Sequence, residues 1–247
     1  MRLLGVIPAR LGSTRLPNKP LQLLAGEPLV TRVVSRVRQL GIVEELVVAT
    51  DSPMVAEVVA RTGTAAVLTR ADHPSGSDRV AEVAALAAYR DFDVIVNLQG
   101  DEPFLSAAAL AGAVDRVRGG DDIGTAAAPL EPAHAAEPAR VKVVTDVRGR
   151  ALYFSRAPIP FRRDPQGSAD GLYWQHIGLY AWSRGALERW VGFPPTPAEE
   201  AEKLEQLRAL QHGMSIGVAR LDEPALPGID TPEDLRRAEA IWRSQRG

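Results

Sequence analysis

Short apolar runs rich in β-branched residues alternate with amphipathic stretches through the first half of the chain, and that alternation limits the folds open to it. Residues 3–7 read as a buried strand and 29–40 as a helix, then 46–49 as a strand and 54–61 as a helix. Residues 66–68 form a third strand and 78–89 an Ala/Val-rich helix, followed by a strand at 94–98 and a helix at 106–118. Strands that are apolar on both faces and separated by helices imply a parallel sheet covered on both sides. The expectation is an α/β, doubly wound, mostly parallel sheet. Binding sites in such sheets lie beyond the carboxyl ends of the strands. Three polar loops fall there: the one after Ile7, the one after Thr50, and Gln99-Gly100-Asp101-Glu102-Pro103 after Leu98.

The second half is less regular and richer in strands. Residues 126–130, 141–145, 151–154 and 177–181 read as strands, and 157–171, rich in Pro, Arg and Asp, as an exposed excursion. Thr196-Pro197-Ala198-Glu199 is a capping box with proline at the first helical position, opening a helix expected to reach residue 210. Thr231-Pro232-Glu233-Asp234 opens the last helix in the same way. No repeat or linker divides the chain, so 1–247 reads as one domain, with a nucleotide-binding half at 1–125 and a second half at 126–247.

Composition removes several function classes. Charges nearly balance at net −2, with pI ≈ 6.1, whereas a nucleic-acid-binding domain usually lies above about 9. The chain has no cysteine, which excludes disulfides, thiolate zinc sites and a cysteine nucleophile. The apolar stretch before Arg10 is shorter than the roughly 7–15 residues of a secretory core, and no run approaches the ~18 of a membrane span. A cytoplasmic protein that binds neither membrane nor nucleic acid is the expectation.

The loop after the first strand carries the first chemical clue. It holds Arg10, Arg15 and Lys19 with hydroxyls at Ser13 and Thr14, but only one glycine, Gly12. Neither G-x-G-x-x-G nor G-x-x-x-x-G-K-[ST] is present, which disfavours a dinucleotide-dependent oxidoreductase. Phosphates can instead be held by cationic side chains, arginine in bidentate fashion and lysine as a mobile point charge. Surface basic residues are common, so charge alone leaves a solvated loop equally open.

The complete string Pro8-Ala9-Arg10-Leu11-Gly12-Ser13-Thr14-Arg15-Leu16-Pro17-Asn18-Lys19-Pro20 resembles the signature of the 3-deoxy-manno-octulosonate (KDO) cytidylyltransferases, P-A-R-x-x-S-T-R-L-P-x-K-P. The resemblance continues in order through Val48-Ala49-Thr50-Asp51, Thr69-Arg70-Ala71-Asp72-His73-Pro74-Ser75-Gly76-Ser77-Asp78-Arg79 and Val96-Asn97-Leu98-Gln99-Gly100-Asp101-Glu102-Pro103. Ser77 stands where the family usually has threonine. Later segments that match are 141–144, 151–156, 176–180, 202–208 and 228–235; residues 164–174 do not align.

The resemblance implies a nucleotide-diphospho-sugar transferase-like fold and a magnesium-dependent enzyme. Such an enzyme joins CTP to KDO and releases diphosphate, supplying lipopolysaccharide synthesis. It implies catalytic roles for Lys19, Asp101 and Asp230, with Asp101 and Asp230 as the Mg2+ ligands. Read locally, Asp101 ends a buried strand where a site is expected, while Asp230 beside the N-cap Thr231 could equally serve the helix dipole. Glu102, followed by proline, is left out of the site as structural. Nucleotide binding is implied for Ala9, Arg10, Ser13, Arg15, Lys19, Arg70 and Ser75. Contacts to the sugar acid are implied for Gln99, Arg156, His176, Tyr180, Glu205 and Gln206. Local pattern would make each of these bland: His176 and Tyr180 core residues, Glu205 and Gln206 a solvated helix face. A homodimer built through the second half is also implied, and the exposed excursion at 157–171 could serve as its arm. Two other readings stay open: the same chemistry on 8-amino KDO or a sialic-type acid, and a nucleotide-binding homologue that has lost catalysis.

Overall fold

In a computed structural model of the chain, residues 1–13, 15–164 and 166–244 are described. They form two compact units, one of Met1–Ser106 together with the segment from Leu226 onward, the other Ala107–Ala225.

The first unit opens with β1 (Leu3–Ala9), a small hairpin of β2 (Leu23–Leu24) and β3 (Glu27–Pro28), and helix α1 (Leu29–Leu40). There follow β4 (Glu45–Thr50), α2 (Pro53–Ala60), β5 (Ala65–Leu68), α3 (Gly76–Ala84) and β6 (Val94–Asn97). These four longer strands lie in the order β6-β1-β4-β5 and every pairing is parallel, as the continuous apolar runs require. Helix α1 buries Leu29, Val30, Val33, Val34 and Val37, the i, i+3/i+4 stripe read from sequence. Each such side chain contributes about 1.5–3 kcal/mol relative to exposure. The helix expected to reach residue 89 stops at Ala84, because Leu86 takes extended angles (φ −63, ψ 144) that end the ladder.

The second unit contains α4 (Ala107–Arg118), β7 (Ile123–Leu130), β8 (Lys142–Thr145), β9 (Ala151–Ser155), β10 (Tyr173–Ser183) and α5 (Arg184–Gly192). It ends with α6 (Pro197–Glu202), α7 (Gln206–Gln211) and β11 (Ile216–Arg220). Strand β10 pairs antiparallel with β7 and β8, β8 with β9, and β11 runs parallel to β7. The mixture explains why this half lacks the regular strand–helix signal. Helix α5 and strand β11 were not foreseen. Nor was the long bulge in β10 between Ile177 and Ala181. The buried Thr125 hydroxyl fills that bulge, donating to the Leu179 carbonyl at 2.7 Å.

One expected helix is corrected. Residues 197–210 are two short helices, split at Lys203, whose φ of 54 cannot continue an α-helix. The capping-box Glu199 also pairs with Arg208 across the break, its Oε2 accepting from Nε at 2.8 Å. The turn therefore places Gln206 inside, at 3% exposure, rather than on a solvated face. Residues 157–164 and 166–171 form no helix or strand, and Phe161 stands 86% exposed.

The chain returns to the first unit at Leu226 and closes with α8 (Pro232–Ser244). Asp234 completes the expected box: its Oδ2 accepts from the Thr231 N–H at 2.9 Å, and its own N–H donates to Thr231 Oγ1 at 3.1 Å.

Candidate active site

Because β1, β4, β5 and β6 are parallel, the loops that follow them emerge at one edge of the first unit's sheet. Gly100 lets the loop after β6 lie against the end of β1: a Cβ there would stand 2.8 Å from the Pro8 carbonyl oxygen. The next residue is Asp101. From the other end of the chain, the Ile229 N–H donates to the Asp101 carbonyl at 2.9 Å, which brings Asp230 to the same place.

Lys19 joins the two carboxylates. It begins a 3-10 turn after Asn18, whose left-handed φ of 53 reverses the loop. Its Nζ donates to Asp101 Oδ2 at 2.5 Å and to Asp230 Oδ1 at 2.9 Å. Arg15 reaches the other oxygen of Asp230, Nη2 to Oδ2 at 3.1 Å. Burial opposes the charge on Lys19, but the neighbouring Asp101 and then Asp230 override it and raise the ammonium's pKa. Glu102 behaves oppositely. Burial first, then the Asp101 and Asp230 charges, push its carboxyl up to about 8. At that value the protonated acid is favoured at neutral pH.

The rest of the basic loop is open. Ala9 ends β1 opposite Thr50, and Ser13 Oγ accepts from the Leu16 N–H at 3.3 Å. Arg10 is exposed and has no side-chain partner among the described residues. Thr14 lies outside the described residues. Beyond β5, Arg70 forks onto Asp72 at 2.9 and 3.0 Å. Ser75 caps α3, accepting from the Asp78 N–H and donating to Asp78 Oδ2 at 2.7 Å. Gln99 lies in the loop before Gly100, partly buried.

Two groups here were not singled out from sequence. Arg79, buried on α3, pairs with Thr69 Oγ1 and with Asp51 Oδ2 at 3.3 Å, tying together the loops after β4 and β5. Its signal was a cation four residues before Val83, on the face α3 buries. Glu82 holds His73 and accepts from the Arg70 N–H at 3.2 Å. Burial would raise its pKa, yet the hydrogen bonds from His73 and Arg70 keep it below the usual carboxylate range.

The remaining predicted residues belong to the second unit. His176 is buried between Phe154 and Tyr180, and burial holds its imidazole down to about 3. The Thr125 hydroxyl already donates to Leu179, so neutral His176 gives its Nε2 proton to Thr125 Oγ1 at 3.0 Å. Tyr180 stacks on Trp182 with centroids 5.5 Å apart, and burial, then the Glu205 charge, keep its phenol protonated. Arg156 spends its guanidinium on three backbone carbonyls: Glu202 at 2.7 Å, Pro138 at 2.9 Å and Lys203 at 3.4 Å. The fully buried Lys142 donates to the Arg156 carbonyl at 2.6 Å, and Glu202 accepts from the Arg156 N–H at 2.9 Å. Lys142 lies in the matching segment 141–144, but a lysine on a short strand gives no local signal of burial. The segment just after this network contains Glu205 and Gln206.

Two hard carboxylates converging on one cationic nitrogen are donors that suit magnesium, which often takes one or two carboxylates with substrate phosphates and waters. Among the described residues no cluster of three or more His or acidic groups could hold a metal by itself. Also among them, no helix is long and apolar enough to cross a membrane.

Comparison with known proteins bears on the family and the fold. Residues 4–216 match a family model described as cytidylyltransferase. Over 245 residues, 98% of this chain and 95% of the relative, the sequence is 56% identical to a 3-deoxy-manno-octulosonate cytidylyltransferase of Gemmatimonas aurantiaca. Among solved structures, a CMP:2-keto-3-deoxy-manno-octonic acid synthetase complexed with CTP superposes with TM-score 0.92 at 38% identity, covering 99% of this chain and all of that one. A cytidylyltransferase from Leptospira borgpetersenii shares the fold, with TM-score 0.64 at 17% identity over 99% of this chain and 87% of its own.

Proposed function

The chain belongs to the cytidylyltransferase family, and we propose that it transfers CMP from CTP to the anomeric hydroxyl of KDO, releasing diphosphate. The observation that carries this is the meeting of Lys19, Asp101 and Asp230, with Arg15 also on Asp230, in a loop that leaves Arg10 exposed. A nucleoside triphosphate bears about four negative charges, part of which Arg10, Arg15 and Lys19 offset with three side-chain cations. The relative 56% identical over nearly all of both chains supports the choice of sugar acid.

In this reaction the sugar hydroxyl attacks the α-phosphorus in line. The bond to the bridging oxygen breaks, diphosphate leaves with the electron pair, and the hydroxyl proton passes to solvent. The protein contributes position and charge rather than a covalent intermediate. Arg10, Arg15 and Lys19 neutralise phosphate oxygens as charge grows on the leaving group. Arg70 and Ser75, with the backbone at Ala9 and Arg10, receive the nucleoside end. Gln99, Arg156, His176, Tyr180, Glu205 and Gln206 are assigned to the sugar acid, neutral His176 and Tyr180 as hydrogen-bonding groups rather than proton carriers. Asp101 and Asp230 would hold magnesium, which, when bound, lends Lewis acidity to the attacking hydroxyl and the α-phosphate. Homodimeric assembly, a cytoplasmic site of action and supply of lipopolysaccharide synthesis come with the same family resemblance.

Diphosphate release with CTP, magnesium and a panel of sugar acids tests the proposal. KDO should give the highest kcat/KM. A higher value for 8-amino KDO or a sialic-type acid would change the substrate, and no release with any of them would leave a nucleotide-binding homologue without catalysis.

A further inference from the structure

The cation seat is filled by the protein itself. The Lys19 ammonium stands 2.5 Å from Asp101 and 2.9 Å from Asp230, the arrangement a small cation would take between those carboxylates. It is only 18% exposed, against 23% for Asp101. We infer that Lys19 is a built-in stand-in for the divalent ion, so that the metal takes its place between Asp101 and Asp230 only when a triphosphate draws the ammonium away.

Three features support the exchange. First, an ammonium and a divalent cation compete for the space between the two carboxylates, since like charges a few Å apart in a partly buried site repel strongly. Second, the base of Lys19 is fixed while its end can move. Pro20 is buried beside it, and the Gln22 N–H holds the Lys19 carbonyl at 3.1 Å, leaving four methylenes free to swing. Third, a better anion is at hand. The loop that carries Lys19 also carries Arg10, exposed, and Arg15, 65% exposed, where phosphates would collect.

The physical consequence is coupling. In nucleotide-free protein the ion must break two charge-assisted hydrogen bonds to enter, which weakens its binding. A bound triphosphate offers Lys19 replacement oxygens and removes that obstacle. Thermodynamic linkage makes the effect mutual, so metal tightens nucleotide by the same factor that nucleotide tightens metal. The carboxylates are meanwhile never left as an unpaired pair of like charges.

This inference rests on the assignment of Asp101 and Asp230 as the cation seat and is independent of which sugar acid is used. Its test is direct binding of Mn2+, followed by the loss of the free-ion paramagnetic resonance signal, on the full chain without nucleotide. Lys19→Met and Lys19→Gln should bind Mn2+ more tightly than wild type by about tenfold or more, the worth of at least one charge-assisted hydrogen bond. CTP should tighten Mn2+ in wild type and do so far less in either variant. Circular dichroism checks that each variant is folded, and Lys19→Gln stands in if Lys19→Met is not. Mn2+ affinity unchanged or weaker in a folded variant overturns the inference. If wild type nevertheless makes CMP-KDO, the proposed function survives that failure; a gain in Mn2+ affinity with no turnover on any sugar acid separates the two in the opposite direction.

Discussion

The backbone N–H of Ile229 donates to the carbonyl oxygen of Asp101 at 2.9 Å. Residues 128 positions apart in the chain are thus joined by main chain, and one of them carries a site carboxylate while the other precedes one. The separation of Asp101 and Asp230 is set by backbone, not by their side chains. Their charges can therefore be changed without dismantling the scaffold.

Asp101→Asn and Asp230→Asn should each lower turnover by about 100-fold or more, the scale on which loss of one charge-stabilising group acts. Their far-UV circular dichroism should match wild type. Diphosphate release near the wild-type rate from either variant would remove that carboxylate from the chemistry.

Gly100→Ala would drive a Cβ to 2.8 Å from the Pro8 carbonyl, and backbone cannot yield as a side chain can. Overpacking of this kind costs about 1–3 kcal/mol. Urea denaturation should show that loss, and kcat should fall because Asp101 moves with its neighbour. An alanine variant with unchanged kcat would mean that the loop position is not demanding.

Arg156→Lys keeps the charge but not the planar fork that serves three carbonyls. We expect a loss of about 1–3 kcal/mol in urea denaturation, from carbonyls left unserved. The KM for the sugar acid should rise while that for CTP stays near wild type. A parallel rise in both would assign Arg156 to general stability only.

His176 predicts a pH response. Its folded-state pKa is depressed to about 3, whereas an unfolded histidine titrates near 6.5. Between those values the unfolded chain takes up a proton that the folded chain refuses. The stability His176 contributes is therefore complete above about pH 6.5 and is lost as pH falls toward 3, by up to about 1.4 kcal/mol per pH unit. Denaturation of wild type and His176→Gln at pH 7 and pH 5 measures this. Glutamine retains an N–H for Thr125, so the variant should lose less stability on acidification; equal losses would show that another group governs the response.

Much of this protein is legible in its sequence. The parallel order of β1, β4, β5 and β6 follows from continuous apolar runs, because a strand buried on both faces shows no alternation. The α1 boundaries and both capping boxes were readable because each depends on residues within one turn. Lys19, Asp101 and Asp230 were chosen by their loops and by family likeness, and the fold gathers all three. Where structure departs from local pattern, distant contacts overrule it. Glu199 and Arg208 hold a break at Lys203, so Gln206 turns inward despite its place off the apolar stripe. Thr125 stabilises a bulge in β10 that no periodicity announces.

Local sequence sets the strand–helix order, the cationic loop in place of a glycine-rich one, and the residue types available for phosphate and metal. These depend on neighbours along the chain and on side-chain chemistry. What those groups do to one another depends on the folded chain: Lys19 sits between Asp101 and Asp230, burial raises the Glu102 carboxyl, and Arg156 and His176 are enclosed by partners. Charge interactions and burial depend on distance in space, and for residues up to 211 positions apart only the folded chain sets that distance.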